Sequence, residues 1–185
     1  MDQNGDGIIN DLDRTVIGDP NPKFTYGFNG NLGYKAFQLN LFFYGTSGNQ
    51  IANTNLWDLI NPIGNSTRNL GVAAYQNAWR AEAPNRKYIR LNSNNNSVFT
   101  DRYLESGSFL RLGSASLSYK VPVTKGKIVK AINVYLTGKN LFTITKYSGY
   151  DPEVNSFAFD GTRIGIDLSS YPNMRSYLVG LNVTF

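Results

Sequence analysis

The stretch "DQNGDGIINDLD" sets oxygen-bearing side chains at alternating positions around two glycines, the spacing a hard cation needs from a single short loop. In the EF-hand-type pattern, ligands come from positions one, three, five, seven and twelve. Counted from Asp2, these are Asp2, Asn4, Asp6, the backbone carbonyl of Ile8, and Asp13. Asn10, at position nine, offers a further oxygen directly or through water. Gly7 falls where the loop turns sharply and a Cβ is unwelcome. The chemistry expected is Ca²⁺ binding, with Mg²⁺ as the other hard cation such a set could take. Ligand number and loop flexibility favour calcium.

The pattern departs at its last position, where Asp13 stands in place of Glu and shortens the closing arm, as in the dockerin-type loops this segment resembles. No amphipathic helix precedes the loop, and Gly18, Pro20 and Pro22 break any helix after it. A paired calcium sensor is therefore not expected. The loop has to be carried by some other fold.

Composition removes several kinds of chemistry. The 185 residues include no Cys and no His, which excludes thiol nucleophiles, zinc sites of the usual ligands, disulfide frameworks and every His-dependent triad. The net charge is +5 and the pI about 9.4, but Lys and Arg are dispersed, so the charge reads as a solvated surface and nucleic acid is not an expected partner. There is no apolar run long enough for a membrane helix and no signal peptide. A transmembrane barrel stays open.

Aromatics make up 14% of the residues, beside abundant Asn, Gly and Ser, a mix suited to strands and loops. In "KFTYGFNGNLGYKAFQLNLFFYG", Phe24, Tyr26, Phe28, Leu32 and Tyr34 share one parity, then Phe37, Leu39, Leu41 and Phe43 repeat it across a tight connection at Lys35 and Ala36. This predicts an antiparallel hairpin. "RSYLVGLNVTF" alternates Tyr177, Val179, Leu181, Val183 and Phe185 with residues that are small and polar apart from Leu178. Two further strands lie between, "FLRLGSASLSYKVP" and "AINVYLTGKNLFTIT". In the first, Leu110 and Leu112 have one parity and Leu117, Tyr119 and Val121 the other, which predicts a bulge near Gly113 to Ala115.

Such alternation serves a soluble sandwich, with the apolar face as core, or an outer-membrane barrel, with that face toward lipid. Strand length, aromatics near strand ends and alternating connection lengths favour the barrel. With the end at Phe185 on the periplasmic side, every long connection falls outside and every short one inside. Residues 1–22 are then an extracellular loop carrying the calcium site, and residues 23–185 are strands with long extracellular loops at about 45–107 and 146–173. Five strands cannot close a barrel, so further strands must complete it.

The long loop holds Trp57, Tyr75, Trp79 and Tyr88 among Asn and Gln, residues suited to sugar faces or to a protein partner. The alternative is that Trp57 and Trp79 pack short helices such as "AAYQNAWRA". Asp151 and Glu153, with Asp160 and Asp167 nearby, lie in a Gly/Ser/Asn-rich loop without apolar surroundings to raise one pKa, and so read as loop-fixing groups. No catalytic residue is expected, and the chain does not read as an enzyme. Arg111 and Lys139 read as lumenal or interfacial charges.

In their order, "DQNGDGIIND", "GDPNPKFTYGFNGNLGYKAFQLNLFFYGTSGNQI", "FLRLGSASLSYKVP", "VYLTGKNLFTITKYSGYDPEV" and "YLVGLNVTF" resemble the C-terminal part of SusC/RagA-type TonB-dependent outer-membrane transporters. The resemblance implies a plugged barrel of about twenty-two strands, energised through TonB, with a SusD-like surface lipoprotein as lid and glycan oligosaccharides or peptides as cargo. It also implies a location in the Gram-negative outer membrane, with lipid around the strands. The metal loop then has its scaffold upstream. The competing expectation is a soluble, secreted carbohydrate-binding β-sandwich with a dockerin-like calcium loop.

Overall fold

In the computed structural model, residues 2–8, 10–60, 69–84, 86–88, 90, 99–124 and 128–185 are described. Five long strands form one antiparallel sheet: β1 (Phe24–Tyr34), β2 (Phe37–Ser47), β5 (Phe109–Val121), β6 (Ala131–Thr145) and β8 (Ser176–Thr184), adjacent in that order. Three short strands, β3 (Gln50–Asn53), β4 (Leu104–Ser106) and β7 (Ile166–Asp167), make a second sheet in the order β4-β3-β7. Helices α1 (Thr54–Ile60) and α2 (Val72–Asn77) lie between β3 and β4.

The register lines the apolar residues into rows. Leu32 pairs with Leu39, Leu39 with Leu117, Leu117 with Leu136, and Leu136 with Val179, one row across all five strands. The next row is Tyr34, Phe37, Tyr119, Val134 and Leu181. Between them, on the opposite face, run Gly33, Gln38, Ser118, Tyr135 and Gly180. A one-residue slip in any strand would exchange these faces, so the alternation itself holds the register.

The hairpin and bulge expected from parity are both present. β1 and β2 are joined through Lys35, whose φ of 53° is the left-handed conformation such a tight turn demands. At the bulge, Phe43 pairs with Leu112 but Phe42 with Ser114, and Gly113 is left over. The extra residue carries Leu110 and Leu112 onto the same face as Ala115, Leu117 and Tyr119. A Cβ on Gly113 would meet the Tyr44 ring at 2.6 Å, which is why this position takes Gly.

The apolar face is uncovered. Leu32 is 63% exposed, Val179 72% and Leu181 61%, and among the described residues no second sheet lies over them. A soluble sandwich would have buried these side chains, so that expectation is corrected. No helix among the described residues is long and apolar enough to cross a membrane, which leaves crossing by strands untouched.

The buried apolar cluster sits off the large sheet, in the segment between β2 and β5. Ile60, Ala74, Tyr88 and Tyr103 form it, with Leu56, Trp57 and Phe99 against its rim. The connections expected at about 45–107 and 146–173 carry short elements, α1, α2, β3 and β4 in the first and β7 in the second. Strands of two to four residues are too short for alternation to register. β5 and β6, at 13 and 15 residues, also run longer than the nine to eleven that a tilted crossing needs.

Candidate functional site

The N-terminal loop is coiled by its own side chains. Asp2 accepts from Gly5 N at 2.7 Å and from Gly7 N at 2.8 Å, while Asn4 Oδ1 accepts from Asp6 N and Asp6 Oδ1 from Ile8 N. Gly5 and Gly7 have φ near 78° and 79°, conformations open to Gly at little cost. Asp13 closes the loop, taking Gln3 N on one oxygen and Asn10 N on the other. The N–H groups of Gly7 and Gly5 hold the Asp2 carboxyl below its ordinary pKa, and those of Asn10 and Gln3 do the same for Asp13.

The loop thus presents carboxylate oxygens on a backbone turned through two left-handed glycines. As the side chains stand, no three acidic groups among the described residues converge closely enough to hold one. Asn4 Nδ2 also donates to Asp6 Oδ2 at 3.0 Å, a bond an ion would have to displace.

The four aromatic candidates separate. Tyr88 is buried in the apolar cluster, and Trp57 packs against it, 6.1 Å from Phe99 and 6.2 Å from Tyr103 between ring centroids. Tyr75 is exposed, with the Arg80 guanidinium 5.1 Å from its ring centre. Trp79 carries Arg90 at 5.2 Å over its ring, and its backbone N–H donates to the Tyr88 backbone carbonyl. Helix α2 covers only part of "AAYQNAWRA" and ends before Trp79.

Two buried carboxylates are the features that sequence reasoning undervalued. Arg111, on the polar face of β5, donates through Nη2 to Asp151 at 2.5 Å, through Nη1 to Glu153 at 2.8 Å and through Nε to Thr143 Oγ1 at 2.8 Å. Glu153 Oε2 also accepts from the Tyr44 hydroxyl, and Asp151 Oδ2 from Asn173 N. Burial alone would raise the Asp151 pKa, but the Arg111 guanidinium and the N–H groups of Glu153 and Asn173 outweigh it and the pKa lies below the usual value.

Asp167, 1% exposed, accepts from the Tyr147 hydroxyl at 2.5 Å and from Ser170 N. Burial first, and the Asp167 partner second, push the Tyr147 hydroxyl well above its ordinary value. Asp151 and Asp167 do fix their loop, as the sequence suggested, but they do so from buried positions. Both are fastened to partners remote in the chain. The signal was present only as Arg111 interrupting the apolar and small-residue first half of β5.

Beside Asp167 lies a cleft of about 320 Å³ lined by Asn53, Asn55, Leu56, Leu59, Ser148, Gly149 and Tyr150. The Asn55 side-chain oxygen Oδ1 accepts from Ser169 N and Oγ, both at 2.8 Å, and its buried Nδ2 has no partner among the described residues. None of the four aromatic candidates lines this cleft.

No protein-family model matches the chain. Curated relatives match it from end to end. The TonB-dependent receptor P3 of Formosa agariphila is 39% identical over 190 residues, covering all of this chain and 18% of that protein. The TonB-dependent receptor SusC of Bacteroides thetaiotaomicron is 30% identical over 191 residues, again covering all of this chain and 17% of the relative. Among solved structures, the RagAB peptide importer in its closed-closed state matches with a TM-score of 0.79 at 26% identity, over 92% of this chain and 18% of that one. The RagAB peptide transporter matches with a TM-score of 0.77 at 28% identity, over 89% of this chain and 17% of that one. The chain spans under a fifth of the length of the curated relatives it matches. A sheet whose apolar rows no second sheet among the described residues covers, matched throughout by receptors of one kind, makes this chain a stretch of β-barrel belonging to the SusC/RagA-type TonB-dependent receptors.

Proposed function

We propose that the chain forms part of the wall of an outer-membrane importer, with its apolar rows against lipid and its polar rows toward the lumen. The observation that carries this is the exposure of the Leu32–Leu39–Leu117–Leu136–Val179 row, which in water would be an aggregation surface and in a bilayer is the required one. The connections 48–108 and 146–175 lie outside the cell, and the two-residue turn at Lys35 and Ala36 faces the periplasm. A SusD-like lipoprotein acts as the lid, the TonB system supplies energy, and the cargo is a glycan oligosaccharide or a peptide. Relatives named as receptors, and neighbours named as importers or transporters, support a transport role over an enzymatic one.

Deletion of the encoding gene in its host tests this. The mutant should lose growth on one class of oligosaccharide or peptide, and the receptor should fractionate with the outer membrane and co-purify with a surface lipoprotein. Growth unchanged on every such substrate, or recovery in the soluble fraction, would refute it.

A second element of the proposal is calcium at Asp2, Asn4, Asp6, the Ile8 carbonyl and Asp13. It is favoured by the doubly bonded Asp2 carboxylate and the left-handed Gly5 and Gly7. A bound ion would tie the loop's two ends together and hold the entry to β1.

A further inference from the structure

The connections β2–β5 and β6–β8 look in sequence like two separate loops, yet a set of hydrogen bonds joins them. β7, from the second connection, adds in parallel to β3 of the first, with Ala52 opposite Ile166 and Asn53 opposite Asp167. Ala52 N donates to the Gly165 carbonyl at 2.8 Å, and the Thr54 hydroxyl donates to the Asp167 carbonyl. The Asn55 amide grips Ser169 through two bonds, and Glu105 on β4 accepts from both N and Oγ of Ser148 at 2.7 Å. The cleft beside Asp167 takes its lining from both connections, so it is their seam.

From these contacts we propose that the two connections form one body, in which β7 is the shared strand and the bonds of Ser148 to Glu105 are its clasp. The second connection is fastened separately to the large sheet by Arg111, which holds Asp151 and Glu153 near its start, and through Asp151 the N–H of Asn173 near its end. It is therefore a strap between sheet and insertion. Neither connection opens without the other, and whatever fills the seam acts on both. This inference rests on the contacts alone and is independent of what the receptor imports.

Hydrogen–deuterium exchange on the full-length receptor in detergent micelles tests it. Ser148→Ala removes only the hydroxyl of the clasp, and Asn55→Ala removes the grip on Ser169. In both variants the amides of Ala52 and Leu56 on one connection, and of Leu168 on the other, should exchange faster by a common factor of about ten, one hydrogen bond's worth. The amides of Leu32 and Leu181 in the large sheet should not change. A rise confined to one connection, unequal factors on the two, or no rise in either variant would overturn the shared body. So would an equal rise at Leu32 and Leu181, because the unit would then have no opening of its own.

Discussion

Arg111 and Asp151 stand 40 positions apart in the chain and meet through a salt bridge with only 3% and 4% of their side-chain surfaces open to solvent. One belongs to a strand of the large sheet and the other to the connection between β6 and β8. Truncating one partner strands the other's charge in a place it cannot be hydrated. Arg111→Met should therefore loosen the 146–175 connection by about 3–5 kcal/mol, whereas the paired change Arg111→Met with Asp151→Leu should cost much less. Protease susceptibility of that connection in the folded receptor, compared across the three proteins, checks both.

The same pair sets an acid limit. The Asp151 pKa is depressed in the folded state, so its contribution is complete above the ordinary aspartate value of about 4 and is lost as pH falls through the lower folded value. Tyr147 has the opposite sign. Its pKa is raised, so its contribution is complete below about 10, the ordinary tyrosine value, and declines above it. Exchange protection of Ala52 and Ser169 should stay flat from about pH 5 to 9 and fall on both sides.

Leu181 and Asn182 are neighbours on β8 with opposite duties, one in an apolar row and one beside Asn133 on the polar face. Leu181→Arg should cost about 2–4 kcal/mol if that row lies near the bilayer midplane, and Asn182→Arg far less. Urea titration of the receptor folded into lipid vesicles reads the difference directly.

Gly45 is packed so closely that a Cβ would lie 2.0 Å from the Phe109 carbonyl and 2.8 Å from the Tyr26 hydroxyl, which itself donates to that carbonyl. Gly45→Ala should force β2 from β5 and destabilise by about 1–3 kcal/mol. Gly33→Ala, with nothing within 4 Å of the new methyl, should change stability by no more than about 0.5 kcal/mol. Thermal melts in detergent distinguish them.

Calcium should raise the melting temperature of the receptor and protect the amides of Gly5 and Gly7, and Asp6→Ala should abolish both effects. Metal content measured after dialysis against a chelator and reloading gives an independent reading. Equal content in the two proteins removes the site.

The large sheet was legible in the residues because its information is local. Period-two alternation named the five long strands and their faces, and the parity change between Leu112 and Leu117 located the bulge. The turn of the loop from Asp2 to Asp13 was readable for the same reason, since its hydrogen bonds stay within one short segment. Tertiary structure decided what alternation cannot encode. Only the folded chain brings Arg111 to Asp151, Tyr147 to Asp167 and β7 to β3, because buried ion pairs and parallel two-residue strands depend on partners that chain distance conceals. It also decided which aromatics became core. Tyr88 and Tyr75 look alike in sequence, and the packing of α1, α2 and Tyr103 buries the first while leaving the second open.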